Sequence, residues 1–396
     1  MRRAGGLWPR VVAFENLGQA ARRAARGKRR RAEAARFLAD LEPRALALQR
    51  ELAAGTWRPG RPFQFEIHDP KRRTITAAPF PDRVVHHALM GVLEPVFERR
   101  MMHASFACRR GKGTHAALRY AQGLVRRHRW FLKLDVARCF QSLRGDIVRA
   151  TLERAVKDRR VLALCARIVD AGLDARGAGL PIGNLSSQWF ANLVLDRLDH
   201  FVLEELRVPG YLRYMDDFGL LADSKSRLVS ARDAVEGFLG EELQLALKAR
   251  ATVLAPSTQG MPFLGWRVYR GMLRLRPSNR RRMRARVRHR LWEYRTRRID
   301  EEHLCASLRS VCEHLRHGNT LSLRRRMFEG HEELPVRDPP PGPRRGGGPQ
   351  ATATACTAAE TSATPPGTRA RPIATTGNRQ SATSGSASAL PMHRTA

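Results

Sequence analysis

The chain has 396 residues, enough for two or three subdomains around real cores, and its 72 Lys and Arg against 37 Asp and Glu give a formal net charge of +35. That excess suits a polyanionic partner, most simply nucleic acid, and runs such as RRAARGKRRR (22–31) and RRRMRARVRHR (280–290) fit a phosphate backbone better than an Arg-rich scatter does. Six cysteines (108, 139, 165, 305, 312 and 356) without a CxxC pair exclude a zinc ribbon and offer no disulfide framework, which predicts a reducing, intracellular setting. The first twenty residues lack an apolar h-region and no run of 18 apolar residues occurs, so neither a secretory signal nor a membrane span is predicted.

Residues 14–54 carry helical apolar spacing and close at Gly55; the basic segment here is either a phosphate-contacting face or a solvated one. FQFEIHDPKRRTITAAPF (63–80) alternates like a hairpin turning at Asp69 and Pro70. A helix is predicted over 82–101, where His86 and His87 are neighbours that diverge, a structural pair and not joint metal ligands. RWFLKLDVARCF (129–140) reads as a strand with an acid at its end, and 145–172 as helical. LPIGNLSSQ (180–188) is a Gly/Asn/Ser loop opening a long apolar helix over 189–206.

A hairpin follows at 211–223, a helix at about 225–243, and a second hairpin over 261–277 turning at Arg270 and Gly271. In the basic helical region 280–317, Leu304, Leu308, Val311 and Leu315 form one core stripe, and Cys305 and Cys312 are packed thiols. From about 336 on, Pro, Gly, Ala, Ser and Thr dominate, and such a segment cannot bury enough apolar surface to offset chain entropy, which predicts disorder.

The hairpin YLRYMDDFGLLAD (211–223) poses the chemical question. Its two apolar runs flank Met215, Asp216 and Asp217, and burying either acid unpaired costs several kcal/mol. A solvated turn and a bound divalent cation both answer the repulsion. Asp135 ends the strand FLKLD just as Asp216 follows the strand YLRY. Two strand-borne carboxylates side by side can hold two divalent ions about 3.5–4 Å apart, the arrangement for phosphoryl transfer.

FLKLDVARCF and YMDD, with Asp135 and Asp216 81 positions apart, resemble the two catalytic motifs of the reverse transcriptases, and PFLGWRVY resembles their primer-gripping hairpin. ENLGQAARRAARGKRRRAEAARF, ITAAPFPDRVVHHALM, SFACRRGKGTHAAL, GLPIGNLSSQWFANLVLDRLDHF and HLRHGNTLSLRRRMF resemble, more narrowly, the reverse transcriptases of diversity-generating retroelements, over about Leu7 to Phe328. Group II intron and retron relatives usually carry Pro-Gln-Gly where this chain has PIG, so Ile182 occupies the glutamine position beside the incoming nucleotide. In the resembled family an apolar residue there accompanies error-prone copying at template adenines.

The resemblance implies an α+β right-hand polymerase fold: fingers and palm with an antiparallel palm sheet flanked by helices, a short helical thumb and a disordered tail. It sets the boundaries at 1–55 (basic N-terminal helices), 56–275 (fingers and palm), 276–335 (thumb-like helices) and 336–396 (tail). It makes Asp135, Asp216 and Asp217 the catalytic, metal-binding carboxylates, with the Val136 carbonyl as a further ligand to two Mg2+ ions, Mn2+ being the alternative. Phe140 matches the aromatic that excludes a 2′-hydroxyl, with a core phenylalanine as the other reading. Lys71 and Arg73 match the fingers residues that hold a triphosphate, a solvated turn being their alternative. Lys248 matches the proton donor to leaving pyrophosphate, while Ile182, Gly183 and Gln188 belong to the nucleotide-side loop.

Template RNA, a DNA or RNA primer, dNTPs and a small basic accessory variability protein are the implied partners, with no membrane, in the cytoplasm of a bacterium or as a phage product. One departure is Gln141, where the family usually has Asp; that position is not a metal ligand, so activity is expected to survive. The tail is a second departure, either functional or an out-of-frame extension into downstream repeat DNA. A retron- or defence-type enzyme of ordinary fidelity and a non-catalytic RNA-binding scaffold are the competing readings; Ile182 argues against the first and the intact aspartates against the second.

Overall fold

The computed structural model describes residues 2–67 and 72–328. Of four N-terminal helices, α1 (Trp8–Val12), α2 (Phe14–Ala24) and α3 (Ala32–Ala39) pack on α5 (Phe80–Glu98), and α4 (Leu41–Ala54) packs on those three. Small buried residues of α2, Gly18, Ala20, Ala21 and Ala24, let its backbone approach α5 closely. The expected helical stretch 14–54 is therefore three helices. Gly27, at φ +69°, turns the chain after α2, and Gly55, also at φ +69°, closes α4 with its N–H on the Leu52 carbonyl. The basic run 26–31 sits exposed in that first turn.

Strands β1 (Phe63–Ile67) and β2 (Arg73–Ala77) form the expected hairpin, in register Phe63↔Ala77 through Ile67↔Arg73. Its turn at Asp69 and Pro70 lies outside the described residues, as does the tail beyond 328 that the composition marks as disordered.

After α6 (Thr114–Arg127) the chain enters β3 (Trp130–Asp135), then α7 (Cys139–Ser142), α8 (Gly145–Ala155), α9 (Arg159–Asp170) and α10 (Leu185–His200). Asp158 caps α9 through its side chain, which breaks the single helix expected over 145–172. The long apolar helix begins at Leu185, earlier than its hydrophobic pattern indicates, and ends in a π-helical turn over Phe201–Glu205. Strands β4 (Gly210–Tyr214) and β5 (Asp217–Ala222), helix α11 (Lys225–Leu243) and strand β6 (Val253–Pro256) complete a four-stranded sheet of order β4-β5-β3-β6, antiparallel throughout.

Alternation along β3 serves two cores. Leu132 and Leu134 face the helices of the main core, whereas Phe131 joins Leu221, Phe263 and Trp266 on the opposite face. A sheet covered on both sides explains why the strands read as apolar runs and not as clean alternation.

The expected hairpin over 261–277 is a three-stranded meander, β7 (Met261–Phe263), β8 (Trp266–Val268) and β9 (Leu273–Leu275), with a first turn at Leu264 and Gly265, φ +47° and +86°. Helices α12 (Pro277–Arg295), α13 (Glu301–Arg316) and α14 (Leu321–Phe328) follow, so the basic helical region is interrupted after Arg295. The HGNT turn locks them to the meander. Leu273 N–H donates to Asn319 Oδ1 and Asn319 N–H returns to the Leu273 carbonyl, each at 2.9 Å. Leu304, Val311 and Leu315 are buried as expected, while Leu308 is half-buried; Cys312 is buried and Cys305 half-buried. The expected fold class holds: α+β, with an antiparallel sheet flanked by helices. No described helix is long and apolar enough to cross a membrane.

Candidate active site

Strands β4 and β5 close on the pair Tyr214↔Asp217, which leaves Met215 and Asp216 as a two-residue turn. Such turns require a left-handed first residue, and Met215 takes φ +60°. On the neighbouring strand Asp135 stands directly opposite Asp217. Val136 N–H donates to the Asp216 carbonyl at 3.0 Å, so the backbone after Asp135 grips the turn. Lys248 N–H reaches the Asp135 carbonyl at 2.9 Å and Ala137 N–H the Ala246 carbonyl at 2.8 Å, which ties the segment before β6 to the same corner. All three aspartates thus converge on one end of the sheet.

Two lysines answer that negative charge. Lys248 Nζ lies 3.7 Å from Asp135 Oδ1, and Lys133 Nζ makes an ion pair with Asp217 Oδ1. Burial raises Asp216 above the usual carboxylate range, helped by Asp135, while Arg73 and Lys133 oppose the shift. Burial pushes Asp217 up to about 6 against the pull of Lys133, with Asp135 and Asp216 adding repulsion. Cys139 behind them is pushed up to about 12, by burial first and Asp216 second, and stays a neutral thiol. Carboxylates this reluctant to ionise together suit a divalent cation, whose charge would reverse the repulsion. Among the described residues no three His, Cys, Asp or Glu side chains stand in ready-made metal-ligand geometry.

Ile182 and Gly183 meet the β1–β2 hairpin at a seam in the loop before α10. Thr76 N–H donates to the Ile182 carbonyl at 2.9 Å. Gly183 follows at φ +120°, and a Cβ there would stand 2.9 Å from Ile75 Cγ2 and 3.4 Å from the Thr76 carbonyl oxygen. Glycine is the residue this close approach admits. Arg73 is exposed on β2, and its charge acts on Asp216 across the gap. Phe140 is half-buried against the main core, its carbonyl accepting from Leu180 N–H at 2.6 Å. Gln188 sits in the first turn of α10 and not in the preceding loop; its Oε1 accepts from the Cys108 thiol at 3.3 Å. Gln141 is exposed on α7. Lys71 lies outside the described residues.

Sequence reasoning missed the polar network behind the turn. Arg213 and Asp199 are both fully buried and joined at 2.5 and 2.6 Å, and Tyr211 OH donates to the same carboxylate at 2.6 Å. Arg213 also donates to Asn192 Oδ1 at 2.8 Å and to the Met215 carbonyl at 3.2 Å, so it reaches the Met215–Asp216 turn itself. A signal existed: YLRY places an arginine at a core-facing position of an apolar strand, where only a buried acid can satisfy it. Lys133, inside FLKLD, carried the same signal.

Residues 67–268, about half of the chain, match the family profile described as reverse transcriptase (RNA-dependent DNA polymerase). Protein YkfC of Escherichia coli is 23% identical over a match covering 56% of this chain and 70% of YkfC. The group II intron-encoded protein LtrA of Lactococcus lactis is 26% identical over 34% of this chain and 23% of LtrA. Nuclear intron maturase 1 of Arabidopsis thaliana is 39% identical over 22% of this chain and 12% of the maturase, so the chain spans only a small part of these two relatives. Telomerase from Candida tropicalis matches structurally over 68% of this chain and 60% of its own, at 11% identity and TM-score 0.46. The profile match runs from the fingers-like hairpin through the paired aspartates to the meander, and the chain belongs to the reverse transcriptase family.

Proposed function

We propose that this chain is an RNA-directed DNA polymerase that copies a template RNA into adenine-mutagenised cDNA to diversify a target gene. The observation that carries the polymerase reading is the convergence of Asp135, Asp216 and Asp217 at one sheet end, within electrostatic reach of Arg73 on the β1–β2 hairpin. Asp135, Asp216, Asp217 and the Val136 carbonyl would hold two Mg2+ ions, or Mn2+, which when bound would activate the primer 3′-hydroxyl and neutralise the phosphates. Arg73, with Lys71 two positions before it in sequence, grips the triphosphate of the incoming dNTP. Lys248, 42% exposed beside Asp135, is placed to give a proton to the leaving pyrophosphate. Phe140 lines the sugar side and disfavours a 2′-hydroxyl.

Ile182 supports the mutagenic part. Its carbonyl is bonded to the fingers-like hairpin, so its position is held, and its side chain offers no hydrogen bond to a nucleotide. The accessory variability protein belongs to this reading as a partner.

The test is primer extension by the purified chain on an RNA template, with Mg2+, dNTPs and any accessory protein from a neighbouring gene, followed by cDNA sequencing. Errors concentrated opposite template adenines, reduced in Ile182→Gln, are the expected result. Faithful cDNA leaves a retron- or defence-type enzyme. No cDNA, with Asp216→Ala behaving like the wild type in cells, leaves an RNA-binding scaffold.

A further inference from the structure

Phe131, Lys133 and Asp135 alternate onto one face of β3, and their partners on β5 are Leu221, Gly219 and Asp217. Lys133 is therefore a diagonal neighbour of Asp217 on the face that carries the carboxylates. It is only 6% exposed, and its ammonium is fixed three ways: against Asp217 Oδ1, donating to the Leu134 carbonyl at 2.9 Å, and 6.0 Å from the centre of the Phe263 ring. Gly219 brings no side chain opposite it; Leu212 and Met261 close over that place instead.

The two lysines of the site differ in one decisive respect. The Lys248 side chain is 42% exposed and stands off Asp135 at 3.7 Å, so it can swing into water and release that carboxylate to a cation. The Lys133 side chain, 8% exposed, has no such exit, because moving away from Asp217 would strand a buried ammonium.

We propose that Lys133 is a positioning residue that keeps Asp217 out of metal ligation, so that the metal-binding carboxylates are Asp135 and Asp216 while the Lys133–Asp217 pair anchors β5 to β3 beneath them. This departs from the expectation that all three aspartates ligate, and it rests on the polymerase reading above. In this arrangement Asp217 sets the register of the turn that presents Asp216, and the buried ammonium offsets one of three carboxylate charges before any cation binds.

Mn2+ is the probe, titrated into the full chain bound to an RNA–DNA primer-template and followed by the EPR signal of free Mn2+. Asp217→Asn is expected to keep Mn2+ affinity within threefold of the wild type, while Asp216→Asn loses at least tenfold. Lys133→Met frees Asp217 to become a ligand and is expected to tighten Mn2+, a gain that disappears in the Lys133→Met/Asp217→Asn double variant. A tenfold loss in Asp217→Asn, or a Lys133→Met affinity unchanged from the wild type, overturns the proposal. Should Lys133→Met fail to fold, as circular dichroism would reveal, the Asp217→Asn arm decides alone. Equal Mn2+ affinity in the wild type and Asp216→Asn is a different failure, that of the polymerase reading itself.

Discussion

Arg213 and Asp199 form a completely buried ion pair directly behind the Met215–Asp216 turn, two charge-assisted hydrogen bonds of 2.5 and 2.6 Å closed off from water. Burial works against both charges, but Asp199 outweighs it at Arg213 and holds the guanidinium firmly protonated. Because Arg213 also donates to the Met215 carbonyl, the pair fixes the backbone that carries Asp216. Removing one partner leaves an uncompensated buried charge, and Asp199→Leu or Arg213→Met is expected to cost about 3–5 kcal/mol by urea denaturation. The double variant Arg213→Met/Asp199→Leu should recover much of that stability, since an apolar pair of similar volume is tolerated. It should not recover primer extension, because the Met215 carbonyl stays without its donor.

Gly183 is the tightest point of the seam between the β1–β2 hairpin and the α10 loop. A side chain there meets both a left-handed backbone and Ile75, 2.9 Å away. Gly183→Ala is expected to cost about 1–3 kcal/mol of local strain. That strain falls on the surface that would hold the incoming nucleotide, so KM for dNTPs should rise roughly tenfold and the melting temperature should fall by a few degrees. Ile75→Ala in the same chain should relieve the steric part and leave the backbone part.

Gly318 makes a comparable contact at the HGNT turn. A Cβ there would lie 2.2 Å from Cζ3 of Trp266, whose side chain is fully buried and has nowhere to move. Gly318→Ala is expected to destabilise by about 1–3 kcal/mol through overpacking. The damage should concentrate where α12 to α14 dock on the meander, read as faster proteolysis in the connections after Arg295 and Arg316 and not in the N-terminal helices.

Hydrophobic pattern made much of this legible. The hairpin around Asp216 and the helix over 225–243 follow from apolar runs and their punctuation, and both are in place, whereas the strand expected over 129–140 stops at Asp135 and gives way to α7. Boundaries failed where a residue acts through tertiary contact. Asp158 reads as an ordinary surface acid yet caps α9 and also accepts from Leu7 and Trp8 N–H at 3.0 and 2.9 Å. The meander reads in sequence as one hairpin because Leu264 and Gly265 turn inside an apolar run, where the β8 strand is only three residues long. The site's carboxylates were readable because acids in apolar strands are conspicuous. Its cations, Lys133 and Arg213, are harder to single out: basic residues are common in a chain of charge +35, and only their place inside the apolar strands FLKLD and YLRY marks these two as buried.

His86 supplies a pH dependence whose sign is fixed by its surroundings. It is buried on α5, its Nδ1 has no hydrogen-bond partner among the described residues, and burial, with neighbouring His87 adding, lowers it from 6.5 to about 4. His87 is lowered to about 4 as well, by burial first and then by Arg23, Arg83 and Lys28. A folded-state value below the unfolded one means that the native chain binds fewer protons. Its stability is therefore complete above about pH 6.5 and is lost progressively as pH falls toward 4. For His86 alone the loss across that window amounts to about 3 kcal/mol, at roughly 1.4 kcal/mol per pKa unit. His86→Leu removes the group that must charge, so it is expected to flatten part of the acid limb while leaving stability at pH 7.5 nearly unchanged. Urea midpoints at intervals between pH 7.5 and 4.5 check this: a variant that tracks the wild type at every pH would exclude His86 as a source of the acid lability.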